Sequence, residues 1–509
     1  MVSPDLLGAS AGAGCGACYA LLLGLNAFFV QASAFAVGIV AVMLTYAVGK
    51  TVSRGNDMTL SLVLSGMVVS ALFQAFISIT KYVADPDDTL PSITYWLMGG
   101  LSGTKPDDLP MLVVPFLIGV VPMLLLRYQV NVLSFGDEEA RALGVNTAFI
   151  RALFIGCATL VTAASGDGRL GGPRHPASFP HDRRAQLPAA APGVPADRRD
   201  LPARDRRCMP LPAFPGNSPF GRDCDHRRSV LHLPAGQREE DVGLMELEVR
   251  NLSVGYAREP ILEGISFSVS GGETLCLLGP NGVGKTTLFR GMLGFLKPLA
   301  GSISIDGCDM GAMTVREIAR QVGYVPQSHT PPFAYSVIDV VTMGRVARIG
   351  AMASPSATDT AYARSCLEHL GIDFLADKLY TRISGGERQM VLIARALAQQ
   401  PSILIMDEPT ASLDYGNQVK VLRQISRLTD EGLAVVMTSH FPDHAFLASS
   451  KVGLITRKNV TFGAPDDVVT ERSLRETYGV DVRIIEENLD DVGLLKSCVP
   501  VVRYRNDPA

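Results

Sequence analysis

The chain has 509 residues, more than one hydrophobic core usually serves, so two or more folding units are expected. A mean hydropathy of +0.22 with 19% charged residues excludes a purely soluble enzyme, and a formal net charge of -4 supplies no basic field for a nucleic-acid partner. Nine cysteines without metal-ligand or framework spacing set aside a zinc site and a disulfide scaffold; the single C-x-x-C, Cys15 to Cys18, lies among glycine and alanine and reads as small-residue helix packing.

The apolar excess is concentrated in residues 1–165. A bilayer core needs about 20 apolar residues in a helix. Leu21 to Val48 offers one such run, with a second span meeting it near Asn26. Leu60 to Ile79, Leu109 to Leu126 and, more weakly, Ala148 to Ala164 follow. About four or five membrane helices are expected; the competing reading is a set of helices buried in a large soluble core. The runs recur and are too long for signal peptides. Lys50 and Arg54 follow the first run, whereas Asp85, Asp87, Asp88, Asp107 and Asp108 crowd the connection before Leu109. The positive-inside tendency therefore puts the Lys50 loop in the cytoplasm.

Residues 166–240 differ abruptly, with about a dozen prolines and about thirteen arginines but no lysine. Prolines such as Pro173, Pro176, Pro180, Pro188 and Pro192 forbid a continuous helix. Arginine pairs such as Arg183-Arg184 and Arg206-Arg207 would suit an anionic partner if the segment were a disordered linker. The preferred expectation is a stretch translated out of frame in place of further membrane helices.

From Met245 short β-rich runs alternate with helical ones. Met245 to Leu252, Thr274 to Leu278, Ile403 to Met406 and Ala434 to Thr438 read as strands and Lys285 to Leu296 as a helix, which implies an α/β domain on a largely parallel sheet. Between strand and helix lies Gly279-Pro280-Asn281-Gly282-Val283-Gly284-Lys285-Thr286, followed by Thr287. This is a complete G-x-x-x-x-G-K-T, whose glycines let backbone N–H groups and a helix N-terminus wrap a triphosphate. Lys285 is then expected on the β- and γ-phosphates and the Thr286 hydroxyl on Mg²⁺. The apolar strand Ile403 to Met406 delivers Asp407 and Glu408 to the sheet edge where ligands bind. Asp407 is placed to hold hydrated Mg²⁺, and Glu408 to polarise the attacking water.

About twenty residues before Asp407 stands Ile383-Ser384-Gly385-Gly386-Glu387-Arg388-Gln389. With it the sequence resembles the ATP-binding cassette superfamily, a P-loop NTPase fold. The resemblance implies ATP and Mg²⁺ as ligands. It implies that Ser384, Gly385 and Gly386 cap the γ-phosphate held by a second cassette, so that hydrolysis needs a homodimer. Ile383 and Glu387 stand where leucine and glutamine are commoner. By the same resemblance Gln327, in Tyr324-Val-Pro-Gln327, contacts Mg²⁺ and water; Asp414 faces the second cassette; His440 touches the γ-phosphate; and Tyr256 stacks on adenine.

Ser336 to Arg345 and Thr438 to His444 are similar to cassettes that import iron-siderophore, haem or cobalamin. Leu7 to Gly14, Tyr95 to Gly103 and Leu133 to Gly144 are similar to the matching permease family. The resemblance implies a plasma-membrane ATPase with its cassette on the cytoplasmic side, partnered by a full-length permease subunit, an extracytoplasmic substrate-binding protein and membrane lipid, with no nucleic acid. The expected division is 1–165 partial transmembrane permease domain, 166–240 linker, 245–485 cassette and 486–509 C-terminal tail. Such permeases have about ten helices. This chain begins near the third and loses the pattern after Ala164, so the cytoplasmic helix that grips the ATPase is expected to be missing, and the chain to join remnants of two neighbouring genes. An exporter half-transporter and a soluble non-transport cassette protein are the alternatives. The first would need six spans, the second tandem cassettes or DNA-binding insertions.

Overall fold

Apolar sequence becomes helix throughout the first third of the chain. The computed structural model describes residues 7–52, 58–98, 109–164, 246–256, 259–327, 333–350, 352–456, 459–489 and 493–501. The 166–240 stretch, and with it the expectation of an out-of-frame linker, lies outside the described residues. Helices α1 (Ala9–Leu22), α2 (Ala27–Val52), α3 (Met58–Val83), α4 (Thr89–Met98) and α5 (Leu109–Leu125) come first. The break before α2 falls where Asn26 interrupts the apolar run, and the Asn26 side chain accepts from the Phe29 N–H at 3.2 Å. Small residues let α1 and α2 nearly touch. A Cβ on Gly16 would come within 2.4 Å of the Ser33 carbonyl, and the Ser33 hydroxyl donates to the Gly16 carbonyl at 2.8 Å. Cys18 is buried on another side of α1, clustered with Ile77 of α3 and Ile93 of α4.

Among the described residues two helical stretches, Ala27–Gly49 and Leu60–Val83, are long and apolar enough to cross a membrane. A third arises if Val113–Leu125 and Arg127–Leu133, bent by 59°, count as one span; Ala9–Leu22 and Thr147–Thr162 are apolar but shorter. At about 1.5 Å per residue the shorter helices fall below the bilayer's hydrocarbon thickness of about 30 Å.

After α5 the chain turns through α6 (Arg127–Leu133) and α7 (Asp137–Ala142) into α8 (Thr147–Ala164). These two short helices correct one expectation. The element that grips the ATPase is present: Val132, Phe135, Ala140, Leu143 and Val145 share one hydrophobic core with Val337, Leu392 and Ala396 of the cassette. Phe135 is 2% exposed, stacks on Tyr335 at 5.7 Å between ring centroids, and lies 5.5 Å from the Arg395 guanidinium carbon. Glu139 forms a 2.6 Å ion pair with Arg395, their side chains 8% and 1% exposed. The Gln399 amide donates to the Ala142 carbonyl at 2.8 Å.

The cassette opens with β1 (Glu246–Tyr256), β2 (Glu259–Ser270), β3 (Thr274–Leu278), α9 (Lys285–Met292), β4 (Ala300–Ile305), β5 (Cys308–Asp309), α10 (Val315–Gln321) and β6 (Val322–Val325). Helices α11 (Val337–Thr342), α12 (Ala357–His369) and α13 (Gly385–Ala398) then precede β7 (Ile403–Met406), α14 (Tyr415–Asp430), β8 (Ala434–Ser439), α15 (Asp443–Ala448) and β9 (Lys451–Ile455). The chain ends with β10 (Val460–Gly463), α16 (Pro465–Val468), α17 (Glu471–Tyr478), β11 (Val482–Leu489) and β12 (Gly493–Pro500). One sheet runs β10-β9-β3-β8-β7-β6, parallel except for β10; a second, antiparallel, runs β2-β1-β4-β5. Every residue of β3, β7 and β8 is buried, which explains their unbroken apolar runs. Helix α9 stops at Met292, short of the expected Leu296, because Gly294 takes φ 70° and turns the chain. The boundary expected at 485 falls inside β11, and β11 with β12 forms an antiparallel hairpin.

Candidate active site

Strand β3 ends in the glycine-rich turn, and three glycines there adopt left-handed backbone: Gly279 at φ 156°, Gly282 at 77° and Gly284 at 114°. The turn feeds Lys285 into the first position of α9, where it is 6% exposed. Its Nζ donates to the Gly279 carbonyl at 2.5 Å and reaches the Pro280 carbonyl at 3.5 Å. Asn281, Gly282 and Thr286 face outward, while Val283 and Thr287 are buried. Nothing within 4 Å of Gly282 would meet an added Cβ, so the turn opens onto free space lined by backbone.

Four expected residues from three separate segments converge on this turn. Glu408 follows β7 and Asp407, His440 follows β8, and Gln327 follows β6. The Glu408 carboxylate accepts from His440 Nε2 at 2.5 Å and from Gln327 Nε2 at 2.6 Å. His440 Nδ1 lies 3.3 Å from Lys285 Nζ. Lysine has only donors and a carboxylate only acceptors, so these contacts suit the histidine tautomer that carries its proton on Nε2 and accepts at Nδ1. Glu408 adopts φ 46°, a left-handed conformation that costs a non-glycine residue about 1–3 kcal/mol and aims its carboxylate into the cluster. Burial raises the Asp407 pKa above the ordinary carboxylate value, opposed by a hydrogen bond from Thr438. Burial also lowers that of Lys285, with Glu408 and Asp407 pulling it back up. Thr438 went unnoticed in the sequence: its Oγ1 donates to Asp407 at 2.8 Å and accepts the Glu408 N–H at 2.8 Å. A threonine ending a buried strand looks like any β-branched strand residue.

Ser384, Gly385, Gly386 and Asp414 form a second group. Ser384 is exposed and caps α13 through a capping box with Glu387, whose carboxylate accepts the Ser384 N–H at 2.7 Å. Asp414 caps α14 by accepting the Asn417 N–H at 2.8 Å. A Cβ on Gly386 would strike Asn417 at 2.6 Å, so the two helix starts lie side by side. The hydrogen bonds of Ser384 stay within its own cap. Tyr256, 43% exposed at the end of β1, instead accepts a 2.6 Å hydrogen bond from Arg290 of α9.

Among donors for a cation, the Asp407 carboxylate, the Thr286 hydroxyl and the Gln327 amide oxygen are all hard oxygens, the set Mg²⁺ prefers. The buried Asp407 carboxylate, steadied by Thr438, fits such an ion.

Residues 1–166 match the FecCD transport family and residues 262–411 match the ABC transporter family. An uncharacterized ABC transporter ATP-binding protein of Haemophilus influenzae is 37% identical over 249 residues, covering 49% of this chain and 95% of its own. The molybdate import ATP-binding protein MolC of the same organism is 36% identical, covering 46% of this chain and 87% of its own. A probable iron chelatin transport ATP-binding protein of Helicobacter pylori is 36% identical, covering 47% and 96%. The chain therefore belongs to the ABC transporters, as an ATPase whose ATP-binding cassette is joined to a FecCD-family permease segment.

Proposed function

We propose that this ATPase drives import of an iron chelate, haem or cobalamin, with the Lys285, Asp407 and Glu408 cluster as its hydrolytic centre. The observation that carries the reading is the Glu408 carboxylate, held at once by His440 and Gln327 beside the Lys285 turn. The turn at residues 279–287 binds the phosphates through its backbone N–H groups, all but Pro280 having one, and through Lys285, and Tyr256 stacks on the base. Asp407, Thr286 and Gln327 would hold Mg²⁺, which neutralises phosphate charge when bound. Glu408 takes a proton from water as its oxygen attacks the terminal phosphorus and the bond to ADP breaks; His440 keeps the carboxylate aimed. Ser384, Gly385, Gly386 and Asp414 of a second copy close the site, with the exposed start of α13 at Ser384 and Gly385 toward the nucleotide.

The permease segment belongs at the plasma membrane with the cassette in the cytoplasm. The positive charges at positions 50 and 54 support that orientation by the positive-inside tendency. A full-length permease subunit, a substrate-binding protein outside and surrounding lipid complete the assembly, and 166–240 is a linker between 1–165 and the cassette at 245–485, with 486–509 following. The names of relatives span molybdate, iron chelatin and cobalamin, so a molybdate-type cargo fits nearly as well.

ATP turnover by the full chain tests the centre. Glu408→Gln should lower kcat about 10²–10⁴-fold while nucleotide binding persists; unchanged turnover refutes the assignment.

A further inference from the structure

Arg290, which no sequence motif singles out, stands between the base-binding end of the cassette and the membrane half. It lies in the last turn of α9, and its guanidinium reaches two partners. NH1 donates to the Tyr256 hydroxyl at 2.6 Å, and NH2 pairs with Glu138 of α7 at 2.8 Å. Its Nε is buried without an acceptor among the described residues. The two terminal nitrogens therefore set the orientation of the group. Because a guanidinium is planar and rigid, turning the end that faces Glu138 turns the end that holds Tyr256. The Tyr256 ring is 43% exposed, and this bond to Arg290 restrains its hydroxyl end.

The neighbouring carboxylates Glu138 and Glu139 differ sharply in setting. Glu139 and Arg395 are buried at 8% and 1% exposure, a fixed anchor whose separation would strand a charge. Glu138 and Arg290 are 52% and 35% exposed, a pair that water and salt can loosen. One short helix thus holds the cassette firmly through one side chain and touches the nucleotide-base end lightly through the next.

We propose that Arg290 is a positioning residue which makes the setting of the Tyr256 ring, and with it ATP affinity, depend on Glu138 of the membrane segment. This rests on the reading of Tyr256 as the base platform. In the docked chain the fork holds the ring; when α7 shifts relative to α9, the Glu138 contact opens and the ring is released, so movement of the membrane half is felt as a change in nucleotide affinity.

Steady-state ATPase assays on the full chain in lipid nanodiscs, with ATP as the probe, test this. Glu138→Gln should raise KM for ATP about 3–10-fold with kcat changed less than about two-fold, the split expected when only ground-state positioning is lost. Tyr256→Phe keeps the ring but removes the hydroxyl. Combined with Glu138→Gln, it should raise KM no further than the larger single change. Arg290→Lys, which cannot fork, should behave as Glu138→Gln does. If the two single KM factors multiply in the double variant while Tyr256→Ala still raises KM, the relay is overturned and the base platform stands. If Tyr256→Ala leaves KM unchanged, the platform itself is refuted and the relay falls with it.

Discussion

Two histidines six residues or fewer from β8 end in opposite roles, and burial decides which. His440 stands at the cluster surface, bonded to Glu408 and Lys285. His440→Ala should lower kcat for ATP by at least about ten-fold with the fold intact, checked by turnover alongside thermal unfolding; full activity would remove it from the site. His444 is 5% exposed, with Nδ1 2.9 Å from the Ser439 hydroxyl. Burial depresses its pKa below the ordinary 6.5. A depressed histidine adds stability that is fully present above the unfolded value and is lost as pH falls through the folded one. The melting temperature of the full chain should therefore drop as pH falls from about 6.5, with a shallower slope in His444→Gln; identical slopes would contradict this. In the sequence the resemblance singled out His440 and gave His444 no role, because the burial of His444 depends on how the turn after β8 folds.

The docking pair α6 and α7 is where the sequence was least legible at the level of elements. Helices of seven and six residues carry too few turns for a period, and the acidic run Asp137 to Glu139 reads as an ordinary first helical turn. Arg395 likewise looks like a surface charge on α13 until Glu139, far upstream in the chain, arrives to pair with it. The phosphate turn was legible to the residue because its chemistry is local: glycines at positive φ, a lysine, then a helix. Glu139→Gln leaves Arg395 buried without its counter-charge and should destabilise the docked form by about 3–5 kcal/mol. Limited proteolysis between residues 165 and 245, followed by size-exclusion chromatography, reads it out: the variant's fragments should separate where those of the parent chain co-elute. Co-elution of both would show the pair to be dispensable. Glu387, which stands where glutamine is commoner, completes the cap on Ser384, so Glu387→Ala should cost about 1 kcal/mol of helix stability, measured by thermal unfolding.

For the whole molecule, the segments divide labour by geometry. The apolar helices α2 and α3 are long enough to cross a membrane, α6 and α7 pack into the cassette core, and the parallel sheet gathers the ends of β3, β6, β7 and β8 at one edge, where α/β sheets take their ligands. Lys285, Glu408, His440 and Gln327 meet there, while Ser384 and Asp414 lie together elsewhere with exposed helix starts. The order of motifs in the sequence made this division readable, since each motif is contiguous. That Ser384 and Asp414 face a second copy came from the resemblance alone, since such a contact depends on a surface rather than on a segment. The decisive measurement is a structure of the Glu408→Gln chain with Mg²⁺ and ATP. Ser384 of one copy should lie over the γ-phosphate held at Lys285 of the other; Ser384 left facing solvent, with no second copy across the nucleotide, would contradict the account.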